Sequence, residues 1–546
     1  MYVDESTVRQ GEKTYTRYLL RESHREGKKV RHRTIANLSE CSPEEIAAIR
    51  LALRHKKDLA QLTAQASVFL TQGLSVGAVW LLYDVSRQLG IADALGATRQ
   101  GRLALWQVIA RVIDQGSRLS AVRLAGSHAA CDVLGPGRFD EDDLYDNLDW
   151  LCENQSGIED RLFRKREGSS GLYLYDVTSS YLEGIQNELS AFGYNRDGKK
   201  GKRQIVIGLL CDETGAPLSI EVFAGNTQDI RTFAVQVKKA AERFGGKEVT
   251  FVGDRGMIKS RQVEELRAHG FHYITAITKA QIGTLLKTGL IQMDLFDQEL
   301  AEVADGGIRY VLRRNPLRAE EIRKSREDKI ASLHKGIAGQ NDYLKEHPLA
   351  KPETALKKLR SRCSRMKVSG WAALAAENRE ITLSIDQDAL KEEAKLDGCY
   401  VLKSDLPPEA ATKETVHKRY KDLSLVESAF RSSKTVHLEL RPIHVRLAAR
   451  TKGHVFVVML AYRIIQELAE RWRDLDVTVE EGINELSSLC AQRVSLNGTT
   501  HNQIPQPRGS VKKLIKAAHV RMPEALPGKG IIVATKKKLT SRRKTT

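Results

Sequence analysis

Between residues 171 and 280 short apolar runs alternate with turn residues, and that rhythm restricts the fold more than any other feature of the chain. Gly171-Leu-Tyr-Leu-Tyr-Asp176-Val-Thr-Ser-Ser-Tyr181 reads as a half-buried strand, because neighbouring side chains on a strand point to opposite faces. Arg203–Cys211 and Pro217–Ala224 are two more such runs, and Asp212-Glu-Thr-Gly215 between them predicts a hairpin. Gly225-Asn226-Thr227 then opens an amphipathic helix with Ile230, Phe233, Ala234, Val237 and Ala241 on one face. Val249–Val252 predicts a short buried strand, Ser260–Ala268 a helix and Tyr273–Ile277 a further strand. This order of elements builds an α/β mixed sheet with helices packed on it.

The rest of the chain is organised around that core. With 546 residues there is room for roughly three to four domains. Residues 1–41 read as a basic β-unit, with a turn at Glu26-Gly27-Lys28. Ser42-Pro43-Glu44-Glu45 is a capping box, so a helix runs from there to about Lys57. Residues 42–165 read as a helical domain for DNA binding or dimerisation, 166–280 as the first part of the core and 281–396 as a charged, mostly helical insertion. The core resumes over 397–480 with the strand Asp397–Leu402, a long helix from about Thr412 to Ser433 and an apolar helix near His454–Leu468. Residues 481–546 form a basic C-terminal region, whose tail Lys536–Lys544 reads as disordered.

Charge narrows the partners. Lys and Arg number 87 against 69 Asp and Glu, a net charge of +18, which favours a polyanion and nucleic acid above all. No run approaches the ~18 apolar residues of a membrane span, and Met1-Tyr-Val-Asp-Glu-Ser is too polar to read as a signal peptide. The seven cysteines show no C-x-x-C pair, and no His-Glu-x-x-His occurs, so neither a zinc ribbon nor zinc hydrolysis is suggested; a reducing cytoplasm fits.

Three acids conflict with their surroundings. Asp176 shares a strand face with Leu172 and Leu174, where a carboxylate is unfavourable unless a cation, donor or metal meets it. Asp254 follows a buried strand, at the sheet end where open α/β folds place ligands. Glu427 shares a helix face with Tyr420 and Lys434 at seven-residue spacing, which drifts only ~20° per step; that face points toward the sheet. A strand-ending Asp176 that caps its turn, or a buried Glu427 paired with Arg431 or Lys434, are the ordinary alternatives for each acid alone. Together they form a set of hard oxygen ligands suited to Mg²⁺ or Mn²⁺, and two such ions can activate an attacking oxygen and stabilise a leaving one in phosphoryl transfer.

These stretches resemble the DDE transposases of bacterial insertion sequences, in the branch marked by a Tyr-x2-Arg-x3-Glu-x6-Lys signature. The match is Tyr420-x2-Leu423-x3-Glu427-x6-Lys434, with Leu423 standing where the signature has Arg and Arg419 or Arg431 placed to substitute. Asp176-Val-Thr-Ser, Gly193-Tyr-Asn-Arg-Asp-Gly-Lys199, Gly225-Asn-Thr-Gln-Asp229, Gly253-Asp-Arg-Gly256, Asp397-Gly-Cys-Tyr-Val-Leu402 and Arg441-Pro442 also match. The resemblance implies a ribonuclease H-like core interrupted by an insertion domain, with Asp176, Asp254 and Glu427 as catalytic metal ligands. It further implies DNA contacts by Tyr420, Arg431, Lys434, Arg196, Lys199 and Arg255. The implied activity is metal-dependent strand cleavage at the terminal inverted repeats and strand transfer into target DNA, by a homodimer in a synaptic complex, in the cytoplasm and associated with the nucleoid.

Two rival readings share these residues: a ribonuclease H-like nuclease that cuts without joining, and a catalytically inactive DNA-binding relic. Gly193-x4-Gly198-Lys199 approaches a phosphate-cradling loop, but Lys200 replaces Ser/Thr and a strand follows, so nucleotide binding is rejected. Trp371, in the insertion, reads as packing before it reads as a base-stacking residue.

Overall fold

The computed structural model describes residues 1–11, 13–57, 69–166, 171–240, 243, 249–255, 257–435, 438–496, 499–526, 528, 530–531 and 533–536. Ala241, Gly256 and the basic tail from residue 537, all used in the sequence reading, lie outside them. The chain divides into two compact units, neither continuous in sequence: Met1–Leu81 with Ala125–Gly135 and Glu481–Ile532, and Leu82–Leu124 with Pro136–Glu480 and Val533–Thr546.

The first unit holds two antiparallel three-stranded sheets. Tyr2–Gln10, Lys13–Glu26 and Lys29–Asn37 form one, so the polar opening residues supply a strand that the sequence reading did not assign. Ser42 and Glu45 cap the helix Pro43–Arg54 reciprocally, as expected. In the second sheet Cys490–Leu496 lies between Thr499–Gln503 and Phe69–Ser75. The expected segments 42–165 and 481–546 are each divided between the two units. Residues far apart in sequence close this sheet, whereas the helices Arg99–Ile113 and Glu141–Arg164 belong to the second unit and pack there on its helix Ala448–Arg471. Gly453 sits where the last of these crosses Glu141–Arg164; a Cβ there would lie 2.1 Å from the Leu148 carbonyl oxygen.

The second unit is built on an eight-stranded mixed sheet. Its order is Ala301–Asp305, Ile308–Arg314, Cys399–Ser404, His272–Ala276, Thr250–Gly253, Leu172–Tyr181, Gln204–Cys211, Pro217–Ala224. Leu172–Tyr181, Thr250–Gly253 and His272–Ala276 run parallel; the remaining pairs are antiparallel. The Leu172–Tyr181 strand is buried on both faces rather than one. Tyr173, Tyr175 and Val177 join Phe233, Phe251 and Phe271 in one aromatic-rich core, while helix Leu423–Lys434 packs over the same strand.

Three boundaries shift. The helix after the hairpin begins at Asp229, with Gln228 as its cap, because Gly225-Asn-Thr is used in the preceding turn. Ala301–Asp305 and Ile308–Arg314 belong to the core sheet, so the insertion proper is Pro316–Lys395, with its own core around Leu333, Ile337, Leu359, Trp371 and Ile381. The expected long helix is two, Lys413–Lys421 and Leu423–Lys434, broken at Asp422. Among the described residues, no helix is long and apolar enough to cross a membrane.

Candidate active site

The register that pairs Tyr175 with Gly253 across parallel strands sets Asp176 beside Asp254. Adjacent strands lie about 4.8 Å apart, so the two carboxylates meet where the strand Thr250–Gly253 stops, midway along Leu172–Tyr181. Each accepts the backbone N–H of the next residue: Asp176 Oδ1 from Val177 at 2.7 Å and Asp254 Oδ1 from Arg255 at 2.7 Å. Helix Leu423–Lys434 brings Glu427 to the same place. All three line one cavity of about 700 Å³.

Glu427 is exposed to that cavity rather than buried against the sheet. The buried residues of its helix are Val426, Ala429, Phe430, Ser433 and Lys434, so Glu427 lies at the margin of the buried stripe. The Asp176 carboxyl is pushed up to about 7, first by burial and then by the Asp254 and Glu427 charges, against the pull of the Val177 N–H. Carboxylates that repel each other across a half-open cavity are the donor set a hard divalent cation relieves. In that chemical sense Asp176, Asp254 and Glu427 fit such a metal, although among the described residues no group of three such side chains is already drawn to ligating distance.

The six expected DNA-contacting residues are distributed unevenly. Arg196, Tyr420, Arg431 and Lys434 line the cavity. Arg255 lines the adjoining groove with Asp254 and Tyr420. Lys199 lies outside both, with its ammonium 5.8 Å from the centre of the Tyr181 ring. The Tyr420 hydroxyl donates to Asp254 Oδ1 at 3.4 Å, and burial, followed by the Asp254 charge, pushes its pKa up. Arg196 makes a forked contact to Asp229, 2.7 Å to each oxygen. Lys434 is buried: its ammonium donates to Thr178 Oγ1 at 2.6 Å and to Asp197 Oδ1 at 3.0 Å.

Asp197 is the residue the sequence reading missed. Its side chain is 1% exposed, and Oδ1 also takes the Arg441 guanidinium at 2.7 Å while Oδ2 takes the Tyr181 N–H at 3.1 Å. It thereby ties the Asp176 strand, the Glu427 helix and the Arg441 segment together. In sequence it looks like a turn acid before Gly198; only its position inside the matching Gly193–Lys199 stretch hinted at more. Trp371 lies in the insertion core, 3% exposed, which is the packing role expected of it.

Residues 168–464 match the family model described as the transposase DDE domain. Residues 3–66 match that of the IS1634 family transposase, N-terminal domain. No curated protein matches the chain. Among solved structures, a cryo-EM structure of piggyBac transposase synaptic complex with hairpin DNA is similar over 70% of this chain and 69% of that one, at 10% identity and a TM-score of 0.35.

Proposed function

The chain belongs to the DDE transposases, of the IS1634 family, and we propose that it transposes DNA by cutting at the ends of its element and joining the freed ends to target DNA at the Asp176, Asp254 and Glu427 cavity. The observation that carries this reading is the convergence of those three acids, from the middle of one strand, the end of its parallel neighbour and a helix, on one cavity with Arg196, Arg431 and Lys434. The reading takes the core as ribonuclease H-like and the signature as Tyr420, Leu423, Glu427 and Lys434. It goes with a cytoplasmic, nucleoid-associated protein acting as a homodimer on terminal inverted repeats.

Asp176, Asp254 and Glu427 would hold Mg²⁺ or Mn²⁺, which would supply positive charge for an attacking and a leaving oxygen. The chain's own residues do the rest. Asp176 and Asp254 are fixed in place by backbone N–H groups. Tyr420 bridges from the preceding helix to Asp254. Arg196 and Arg431 bring cationic charge to the cavity wall, where a phosphodiester is drawn in. Water first frees a 3′-hydroxyl, and that hydroxyl then attacks target DNA, both positioned without a covalent protein intermediate.

The test is cleavage of a supercoiled plasmid carrying the element's ends, in Mg²⁺ and in EDTA, with wild type beside Glu427→Gln. Mg²⁺-dependent cuts at the ends, absent in the variant, are expected. Cutting that survives EDTA and the substitution overturns the assignment. Cuts without joined products favour the nuclease alternative.

A further inference from the structure

Between the strands Leu172–Tyr181 and Gln204–Cys211 runs a loop in which large aromatic rings face water. Phe192 is 64% exposed and Tyr194 80% exposed. Exposed apolar surface grouped within a polar rim marks interaction sites. Each ring carries a guanidinium over its face: Arg203 5.5 Å from the Phe192 centroid and Arg196 5.5 Å from the Tyr194 centroid. Lys199, Lys200 and Lys202 add charge to the same loop; of its three acids, Asp197 is buried and neutralised by Lys434 and Arg441, Glu183 pairs with Lys202 at 2.8 Å, and Glu188 accepts the Ala448 N–H at 2.7 Å.

The loop is anchored despite its exposure. Gln204 Nε2 donates to the carbonyls of Tyr194 at 3.1 Å and Gly225 at 2.8 Å. Ala191 and Gln204 exchange backbone bonds of 3.1 and 3.0 Å. Gly193 lies so close to Gly225 that a Cβ would meet its carbonyl oxygen at 2.2 Å. That close approach pins the backbone between the two aromatics. Arg196 N–H donates to Ser179 Oγ at 2.9 Å, tying the loop to the Asp176 strand. Phe192, Tyr194 and Arg196 line a groove of about 540 Å³, and Arg196 also lines the catalytic cavity.

We propose that Phe192 and Tyr194 form a stacking platform for unpaired bases of the DNA strand beside the reacting phosphate. This rests on the function proposed above. Rigidly held aromatics among cations are what single-stranded nucleic acid selects: phosphates meet the charges and base faces meet the rings. Paired bases inside a duplex offer no free face, so the platform distinguishes DNA opened at the cleavage point from intact duplex.

Binding by full-length protein in EDTA tests this, with fluorescein-labelled duplexes that are blunt or carry an unpaired oligothymidine overhang, read by anisotropy. Phe192→Ala and Tyr194→Ala are each expected to weaken overhang binding about tenfold, within the range for loss of one base–aromatic stack, and to leave blunt-duplex binding within twofold. Phe192→Tyr and Tyr194→Phe should retain wild-type binding of both. No weakening by the alanine variants, or equal weakening on both DNAs, overturns the proposal. The plasmid assay separates the two readings: a wild type that cuts ends but ignores overhangs sinks the platform alone, whereas overhang preference without cutting sinks the proposed function and leaves the platform standing.

Discussion

Replacing Asp197 by Asn keeps its shape and removes its charge, which isolates what that charge does. In the native fold Asp197 is 1% and Lys434 9% exposed, with 3.0 Å between their atoms, and Arg441 adds a second cation at 2.7 Å. Removing the anion strands a buried ammonium beside a guanidinium. Breaking a buried pair from one side costs roughly 3–5 kcal/mol, a large share of the ~5–15 kcal/mol that holds a domain folded. Burial, only partly offset by Asp197, already lowers the Lys434 pKa. In the variant it falls further, and the lysine can escape part of the penalty by losing its proton. A base whose folded pKa is depressed destabilises the fold most at low pH, and the deficit fades as pH rises toward the unfolded lysine value. Urea unfolding followed by circular dichroism should therefore show Asp197→Asn less stable by about 3 kcal/mol or more at pH 7, with a smaller deficit at pH 9. Asp197→Asn combined with Lys434→Met should recover most of it. A single variant within about 1 kcal/mol of wild type, or a double variant as unstable as the single, refutes the reasoning.

Asp176 gives a pH signature of the opposite kind. Its folded pKa, about 7, lies above the unfolded ~3.9, so the metal-free protein loses stability as pH climbs from about 4 to about 7, by at most ~4 kcal/mol before solvent in the cavity trims it. In EDTA, Asp176→Asn should melt higher than wild type at pH 8 and equally at pH 4; a variant that melts lower at both would contradict this. Asp176→Asn, Asp254→Asn and Glu427→Gln should each abolish plasmid cleavage while gel-shift affinity for end DNA stays within about threefold, since one carboxylate makes little of the phosphate-driven affinity. Gly453→Ala should lower the melting temperature through a loss of roughly 2 kcal/mol or more, because its Cβ would overlap the Leu148 carbonyl at 2.1 Å; a neutral result would mean that the helices separate freely.

Much of the core was legible in the sequence because its signals are local. The turn at Asp212–Gly215 announced the hairpin, and Ser42 with Glu45 announced a helix start. Asp176 and Asp254 stood out as acids in apolar surroundings, and the structure sets them side by side through strand register. What stayed hidden depends on long-range pairing. Ile308–Arg314 looks like any strand in a charged region until Cys399–Ser404 lies beside it. Tyr2–Gln10 has too few apolar residues to announce a strand, and Lys13–Glu26 supplies its partner. Seven-residue spacing put Tyr420, Glu427 and Lys434 on one helix face; the break at Asp422 separates the tyrosine from the other two, yet all three line the cavity. Asp197 was unreadable because its meaning comes from Lys434 and Arg441, more than two hundred residues away.

The insertion leaves the sheet after Arg314 and returns at Cys399, and these two residues are register partners on neighbouring antiparallel strands. Topologically, then, everything from Asn315 to Gly398 is the loop of one β-hairpin. Strand order and the path to Asp176, Asp254 and Glu427 do not depend on what that loop contains. Such a segment can be exchanged for one of another length or shape as a cassette, its two ends already held a single strand spacing apart, while the scaffold that carries the chemistry keeps its pairing.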